Sequence, residues 1–298
     1  SKLMKRSLVL VALLVAAAAA CAHPVATKPV PKPVIQLAIL LDTSNSMDGL
    51  IDQARTQLWR VVNEFGTAKK NGIAPELQVA LYEYGNDGLP AEQGHIRLVQ
   101  PFTTDLDKIS EELFALKTNG GQEYCGQVIA EALRGLRWSA SPDDLKVIFI
   151  AGNEEFTQGS VDYRTSCAKA LTRGIIVNTI FCGDRTQGLE TKWGVGAPMA
   201  EGRYVAIDQN AQVAEIEAPQ DDEIAALGVK LNDTYLAYGA KGSEGRTRQF
   251  AQDQNLLTKK GANVQRQIAK ASVNYDNASW DLVDAKKRGK VDLEKVKA

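Results

Sequence analysis

The chain has 298 residues, 44% hydrophobic and 24% charged, with 35 basic and 36 acidic side chains and a net charge of -1. This composition suits one large globular domain, or a domain with an extension, and neither sign of charge dominates enough to favour nucleic acid as a partner. The cysteines lack zinc-type pairing, no GxxxxGK[ST] loop occurs, and the two histidines, His23 and His95, lie far apart, so zinc hydrolysis, P-loop chemistry and a histidine triad have no sequence support.

Residues 1–20 read as a signal peptide. Lys5 and Arg6 supply its positive start, and the apolar run from Ser7 to Ala20 is too short to span a bilayer comfortably. Met4 is the expected natural start. The small residues Ala18-Ala19-Ala20 before Cys21 resemble a bacterial lipobox, which implies that Cys21 becomes a lipidated first residue. Ala18 stands where Leu is more usual, so plain secretion is the alternative. Prolines at 24, 29, 31 and 33 hold the chain extended. Residues 21–33 are thus expected to tether a folded domain to a membrane.

From Val34 strands and helices alternate. Residues 34–42 are a near-continuous apolar run, as in a parallel strand covered on both faces. Leu50, Ile51, Ala54, Leu58, Val61, Val62 and Phe65 then repeat at helical spacing, and Gly72 follows. Strands are expected over 76–85 and 95–103, the second reached through a Gly/Asn/Asp/Pro-rich hairpin loop. Helices follow over 105–117 and 123–138, then a strand over 145–153, a helix over 161–174 and a strand over 175–183. A broken helix over 189–202 and a last strand over 203–207 complete the series. Strands joined by helices of this length imply right-handed crossovers and a mainly parallel sheet, helices on both faces. Beyond 209 the sequence reads as helical and increasingly polar, with apolar patterns over 223–239, 254–275 and 277–298. This extension, residues 210–298, is expected to pack through Leu227, Leu231, Tyr235, Trp280 and Leu282, or to be partly ordered beyond 240.

The first strand ends in Asp42-Thr43-Ser44-Asn45-Ser46. In an open parallel sheet, ligands bind beyond the carboxyl ends of the strands. Asp42, Ser44 and Ser46 alternate, so their side chains can share one side of the loop. A carboxylate and two hydroxyls make a hard oxygen cage suited to Mg²⁺ or Mn²⁺. Capping of the next helix by Ser46 or Asp48 is the purely structural alternative, and explains one residue of the set.

These residues resemble the D-x-S-x-S motif of the von Willebrand factor A family, and the order of elements over about 34–208 is similar to that family's. The resemblance implies a Rossmann-like, doubly wound α/β domain over 34–209 with one antiparallel edge strand. It also implies a non-catalytic role, in which a partner's carboxylate completes the coordination of a metal held at a metal-ion-dependent adhesion site (MIDAS). The family's Thr loop falls on "TNGGQEYC", at Gln122 or Glu123, or is replaced by Thr118. The family's Asp after the fourth main strand falls on Gly152, with Asn153 and Glu154 beyond it. Glu123 or Glu154 is expected to replace the missing acid. An extra carboxylate would hold a cation tighter and leave it less attractive to a partner's carboxylate.

The expected partner is an envelope protein facing the periplasm or exterior. Asp42 as a phosphoryl acceptor is an alternative, weakened because Ser44 stands where dehalogenase-like phosphohydrolases need a second acid. A metal-free anchored scaffold is another. In an oxidising compartment Cys167 and Cys182 are the favoured disulfide, joined across one helix–strand unit. Cys125–Cys182 is the second choice, and three small buried thiols are the remaining possibility.

Overall fold

The computed structural model describes residues 32–208 and 218–294. The expected signal peptide, Cys21 and most of the expected tether lie outside these residues. Six strands form one sheet: β1 Val34–Asp42, β2 Glu76–Tyr84, β3 Ile96–Thr103, β4 Leu145–Gly152, β5 Ile176–Cys182 and β6 Tyr204–Ile207. Their order is β3-β2-β1-β4-β5-β6. All neighbours run parallel except β2 with β3, the expected mainly parallel sheet with an antiparallel edge. β1 pairs on both sides and is buried or half-buried throughout, which is why its sequence carries almost no polar residue. Edge strand β3 tolerates Pro101, which lies in an irregular stretch of its ladder.

The two faces of β1 build two cores. Ile35, Leu37 and Leu41 pack toward α1 (Asp48–Gly66) and α2 (Leu106–Ala115). Ala38 and Leu40 pack toward α3 (Cys125–Gly135) and α4 (Tyr163–Thr172). α1 follows the expected helical spacing, burying Leu50, Ile51, Leu58, Trp59 and Val62. The broken helix resolves into α5 (Arg185–Glu190) and α6 (Trp193–Gly196). Asp184 caps α5 by accepting from the Thr186 and Gln187 amides, and Trp193 is buried against Phe156 and Phe181. No helix among the described residues is long and apolar enough to cross a membrane.

The two-layer arrangement overturns the expected Cys167–Cys182 disulfide. Successive strand residues point to opposite faces: Phe181 joins the core beneath α3 and α4, while Cys182 joins the core beneath α1. Cys167 belongs to the layer of Phe181, as does Cys125. The sheet therefore separates Cys182 from both expected partners, and all three thiols are free and buried.

Among its described residues the extension has four helices: α7 Asp221–Asn232, α8 Gly242–Asn255, α9 Lys260–Lys270 and α10 Leu282–Lys287. Tyr235, Leu256, Ala269, Tyr275 and Trp280 enter the same core as α1 and α2, with Leu231 against it. Leu227 is exposed instead, because α7 turns Gly228 toward Gln267 of α9, where a Cβ would stand 2.1 Å from Gln267 Oε1. Leu282 is half-buried. α8, which is polar and carries two glycines, shows no apolar repeat in sequence.

Much of the extension's attachment is polar. The fully buried Arg266 reaches Asp107 of α2 at 2.5 Å and Asp253 of α8 at 2.6 Å. Its guanidinium lies 4.5 Å from the centre of the Trp59 ring on α1. The Tyr275 hydroxyl donates to Asp107 (2.6 Å), and Lys270 donates to Asp253 (3.0 Å). Two buried cations and two carboxylates thus neutralise one another across two helices of the extension and one of the domain, a grouping that is costly to break by removing one member.

Candidate metal centre

Asp42 ends β1 level with Tyr84 of β2. β1 lies between β2 and β4, and at this carboxyl edge the chain's crossovers diverge to either side, which opens a crevice. Asp42 has no exposed surface. Its Oδ1 accepts the Ser44 amide at 2.8 Å, while Oδ2 has no hydrogen-bond partner among the described residues. Glu123 enters from the loop before α3 and is also buried. Its Oε2 likewise has no partner among them. Its backbone amide is held by Gln158 Oε1 at 2.7 Å.

Two glycines let these carboxyl groups share one space. A Cβ on Gly85 would stand 2.7 Å from Glu123 Cγ and 2.8 Å from Asp42 Oδ1, and Gly85 has φ +76°. A Cβ on Gly121, at φ +138°, would stand 2.2 Å from the Gly85 carbonyl. Only glycine permits the turn after β2 and the loop before α3 to approach this closely.

The two serines add hydroxyls. Ser44 Oγ and Ser46 Oγ lie 3.4 Å apart, and Asn153 Nδ2 donates to Ser46 Oγ at 3.0 Å. Asn153 Oδ1 is buried without a partner among the described residues. The capping alternative does not hold: Met47 occupies the N-cap position of α1, and Ser44, before the short 3₁₀ turn, makes no side-chain capping bond. Thr43 points away, donating to Glu83 Oε2 at 3.2 Å. The alternation of Asp42, Ser44 and Ser46 thus separates this set from Thr43.

Burial pushes Asp42 up to about 6, the Glu154 charge adding to the effect while hydrogen bonding with Glu123 and Ser44 opposes it. Burial pushes Glu123 up to about 10, reinforced by the facing Asp42 carboxyl. Two facing buried carboxyl groups cannot both ionise cheaply unless a proton or a cation sits between them. Beneath them the Tyr84 hydroxyl donates to the Ala151 carbonyl (3.0 Å), with Cys125 Sγ 3.8 Å from that hydroxyl. Burial raises both groups far above their ordinary ranges, so this floor stays neutral.

Asp42, Ser44, Ser46 and Glu123 are therefore brought together. Glu154 is exposed at the edge, its backbone carbonyl taking the Trp193 indole N–H at 2.7 Å. Among the described residues no three His, Cys, Asp or Glu side chains are grouped to hold a metal, so the cage rests on two carboxyls and two hydroxyls. Thr118 donates to Asp48 Oδ1 at 2.6 Å, and Gln122 accepts from the Tyr124 hydroxyl, so Glu123 is the residue of that loop that enters. Gly152 leaves no room for an acid: a Cβ there would stand 2.5 Å from the Tyr84 hydroxyl and 3.1 Å from Asp42 Oδ2. Gly85 and Gln158 carry no motif signal, since neither belongs to a ligand pattern. The donor set is all oxygen and includes two buried, partnerless carboxyl oxygens, which fits a hard divalent cation.

The profile of the von Willebrand factor type A domain matches residues 36–216. Among solved structures, the chain is similar to the conserved hypothetical protein BatB from Bacteroides thetaiotaomicron, at 17% identity and a TM-score of 0.44, over 58% of this chain and 90% of that one. It is similar to an aerotolerance-related membrane protein from Bacteroides fragilis at 17% identity and a TM-score of 0.39, over 58% and 92% of the two chains. It is also similar to proximal thread matrix protein 1 from the mussel byssus, with a zinc-occupied MIDAS motif, at 11% identity and a TM-score of 0.42, over 59% and 42%. No curated protein matches the chain.

Proposed function

The chain belongs to the von Willebrand factor type A family, and on that footing we propose that it is a non-catalytic interaction module that holds Mg²⁺ or Mn²⁺ and works in the bacterial cell envelope, anchored through Cys21. The residues that would hold the cation are Asp42, Ser44, Ser46 and Glu123. Asn153 Oδ1 stands beside them and Glu154 lies at the rim. A cation there supplies a positive centre that a partner protein's carboxylate completes. The observation that carries this reading is the pair of buried oxygens, Asp42 Oδ2 and Glu123 Oε2, with no partner among the described residues. Neither oxygen receives an N–H or hydroxyl donor among those residues, so once both carboxyls are ionised a cation between them is what would offset the cost of burying the pair.

The chain's own residues set the character of the site. Gly85 and Gly121 bring the second carboxyl against the first. Asn153 orients the Ser46 hydroxyl, and the Ser44 amide orients Asp42. With both carboxyls ionised, a dication is neutralised, which favours tight retention over strong attraction of a partner's acid. The envelope assignment rests on the sequence of residues 1–33.

Calorimetric titration with Mn²⁺ and Mg²⁺ tests the site, and capture of envelope proteins with and without EDTA tests the interaction. Stoichiometric uptake, lost in a Ser44→Ala, Ser46→Ala double variant that keeps its fold, is expected. Absence of uptake by the unaltered protein refutes the cation. Capture unchanged by EDTA refutes the metal-dependent interaction.

A further inference from the structure

The extension carries a face that the cation site does not use. Val229 on α7, Phe250 on α8 and Leu257 just beyond α8 are 67%, 61% and 56% exposed. They are contiguous. A groove of about 390 Å³ is lined by Val229, Phe250 and Leu257, and a second of about 650 Å³ is lined by Tyr238, Arg246 and Phe250. Phe250 is the wall they share. Arg246, Phe250, Gln254 and Leu257 recur at helical spacing on one stripe, and burying large apolar side chains of this kind is favourable for any surface that can cover them.

The charge beside this face has a sign. Lys230, Lys241, Arg246 and Lys259 are exposed, and none forms an ion pair among the described residues. Of the exposed acids over residues 218–259, Asp222 is paired with Lys260 and Glu244 with Arg248. Glu223 and Asp233 then stand against four unpaired cations. Arg246 lines a groove with Phe250, and Lys230, Lys241 and Lys259 lie within two residues of Val229, Gly242 and Leu257 in the chain. Exposed apolar side chains with unpaired Lys and Arg close by in sequence are the composition of a surface that lies on an anionic bilayer.

We propose that this α7–α8 face docks on the anionic lipid surface of the membrane to which the chain is tethered. The proposal takes its geometry from the anchored reading above. In that reading 13 residues, 21–33, separate the anchor from β1, and a chain of that length spans at most roughly 45 Å. At that range the membrane is present at high effective concentration, so a face of modest affinity suffices. Docking also fixes which way the domain faces, and so where the carboxyl edge of the sheet meets a partner.

The test uses the mature chain from residue 21 with Cys21→Ser, which removes any acyl group. Residues 33–298 form one compact unit, so the fold does not depend on the anchor. Flotation is measured with vesicles of phosphatidylglycerol and phosphatidylcholine, and with phosphatidylcholine alone. Binding to the anionic vesicles, weakened by salt, is expected. Each basic side chain near such a surface is worth about a fivefold change in partitioning. Phe250→Asp with Arg246→Glu should therefore weaken binding by at least about tenfold. Both side chains are exposed, and an unchanged melting curve checks folding. No binding to anionic vesicles overturns the proposal, as does equal binding by the double variant. A concentration-dependent dimer that Phe250→Asp dissociates, without vesicle binding, also overturns it and assigns the face to a second copy of the chain. Mn²⁺ titration of the same samples reports the cation site separately, so failure of one reading is not failure of the other.

Discussion

Replacing Asp42 by Asn separates a ligand-holding carboxylate from one that serves the fold. The substituted side chain keeps an oxygen for the Ser44 amide, and its new amide group would face Glu123 where Asp42 Oδ2 now has no partner. Burial raises the Asp42 carboxyl from 3.8 to about 6. A raised folded-state value means that the folded protein binds the proton more tightly than the unfolded chain. The Asp42 contribution to stability is therefore greatest in acid, declines as pH rises from about 4 through about 6, and stays lower above that, while the raised Glu123 carboxyl continues the decline to higher pH. At about 1.4 kcal/mol per pH unit, the penalty in metal-free protein near pH 8 is on the order of 3 kcal/mol. Relief of that penalty should raise the melting temperature of the metal-free variant by roughly 6–12 °C, at about 2–4 °C per kcal/mol for a domain of this size. The assay is thermal melting near pH 5 and near pH 8, in EDTA and in Mn²⁺. The unaltered protein should melt lower at the higher pH in EDTA and recover with Mn²⁺. Asp42→Asn should weaken the pH dependence of that interval, the remainder coming from the raised Glu123 carboxyl, and should abolish the response to Mn²⁺. A metal-free variant that melts below the unaltered protein near pH 8 refutes the reasoning, and makes Asp42 a carboxylate that the fold itself requires.

Gly152→Asp, which places an acid where the family has one, should destabilise rather than improve the site. Its Cβ meets Tyr84, Asp42 and Trp193 at 2.5–3.1 Å, and overpacking of this kind costs about 1–3 kcal/mol, readable in a urea titration. Arg266→Met should cost about 3 kcal/mol or more by stranding Asp107 and weakening the neutralisation of Asp253. Adding Asp107→Asn should recover part of that loss in the same titration, and no recovery would show that packing dominates. Because Cys125, Cys167 and Cys182 are buried free thiols, dithiothreitol should leave the melting temperature of the Cys21→Ser chain unchanged. A thiol reagent should react with them only after denaturation, and rapid labelling in the native state would contradict the layer assignment.

Near-neighbour pattern was enough for everything that depends on near neighbours. The apolar run 34–42 specified a central strand because both its faces are covered, and the repeat from Leu50 to Phe65 specified α1 because one stripe meets the core. The alternation of Asp42, Ser44 and Ser46 specified a shared side of one loop. The extension was legible only where it is apolar. α8 escaped notice because its attachment runs through Arg266, Asp253 and Asp107, and charged residues in sequence do not announce that they will be neutralised on burial. Tertiary structure alone decided that Glu123, rather than Gln122 or Thr118, joins Asp42, since that depends on how closely Gly121 can approach Gly85. It also decided that Cys182 faces away from Cys167, because strand residues one position apart point to opposite sides of a sheet and the side taken is set by the strand's register with its neighbours. Local spacing fixes which side chains share a face, whereas which faces meet is fixed by packing between segments far apart in the chain.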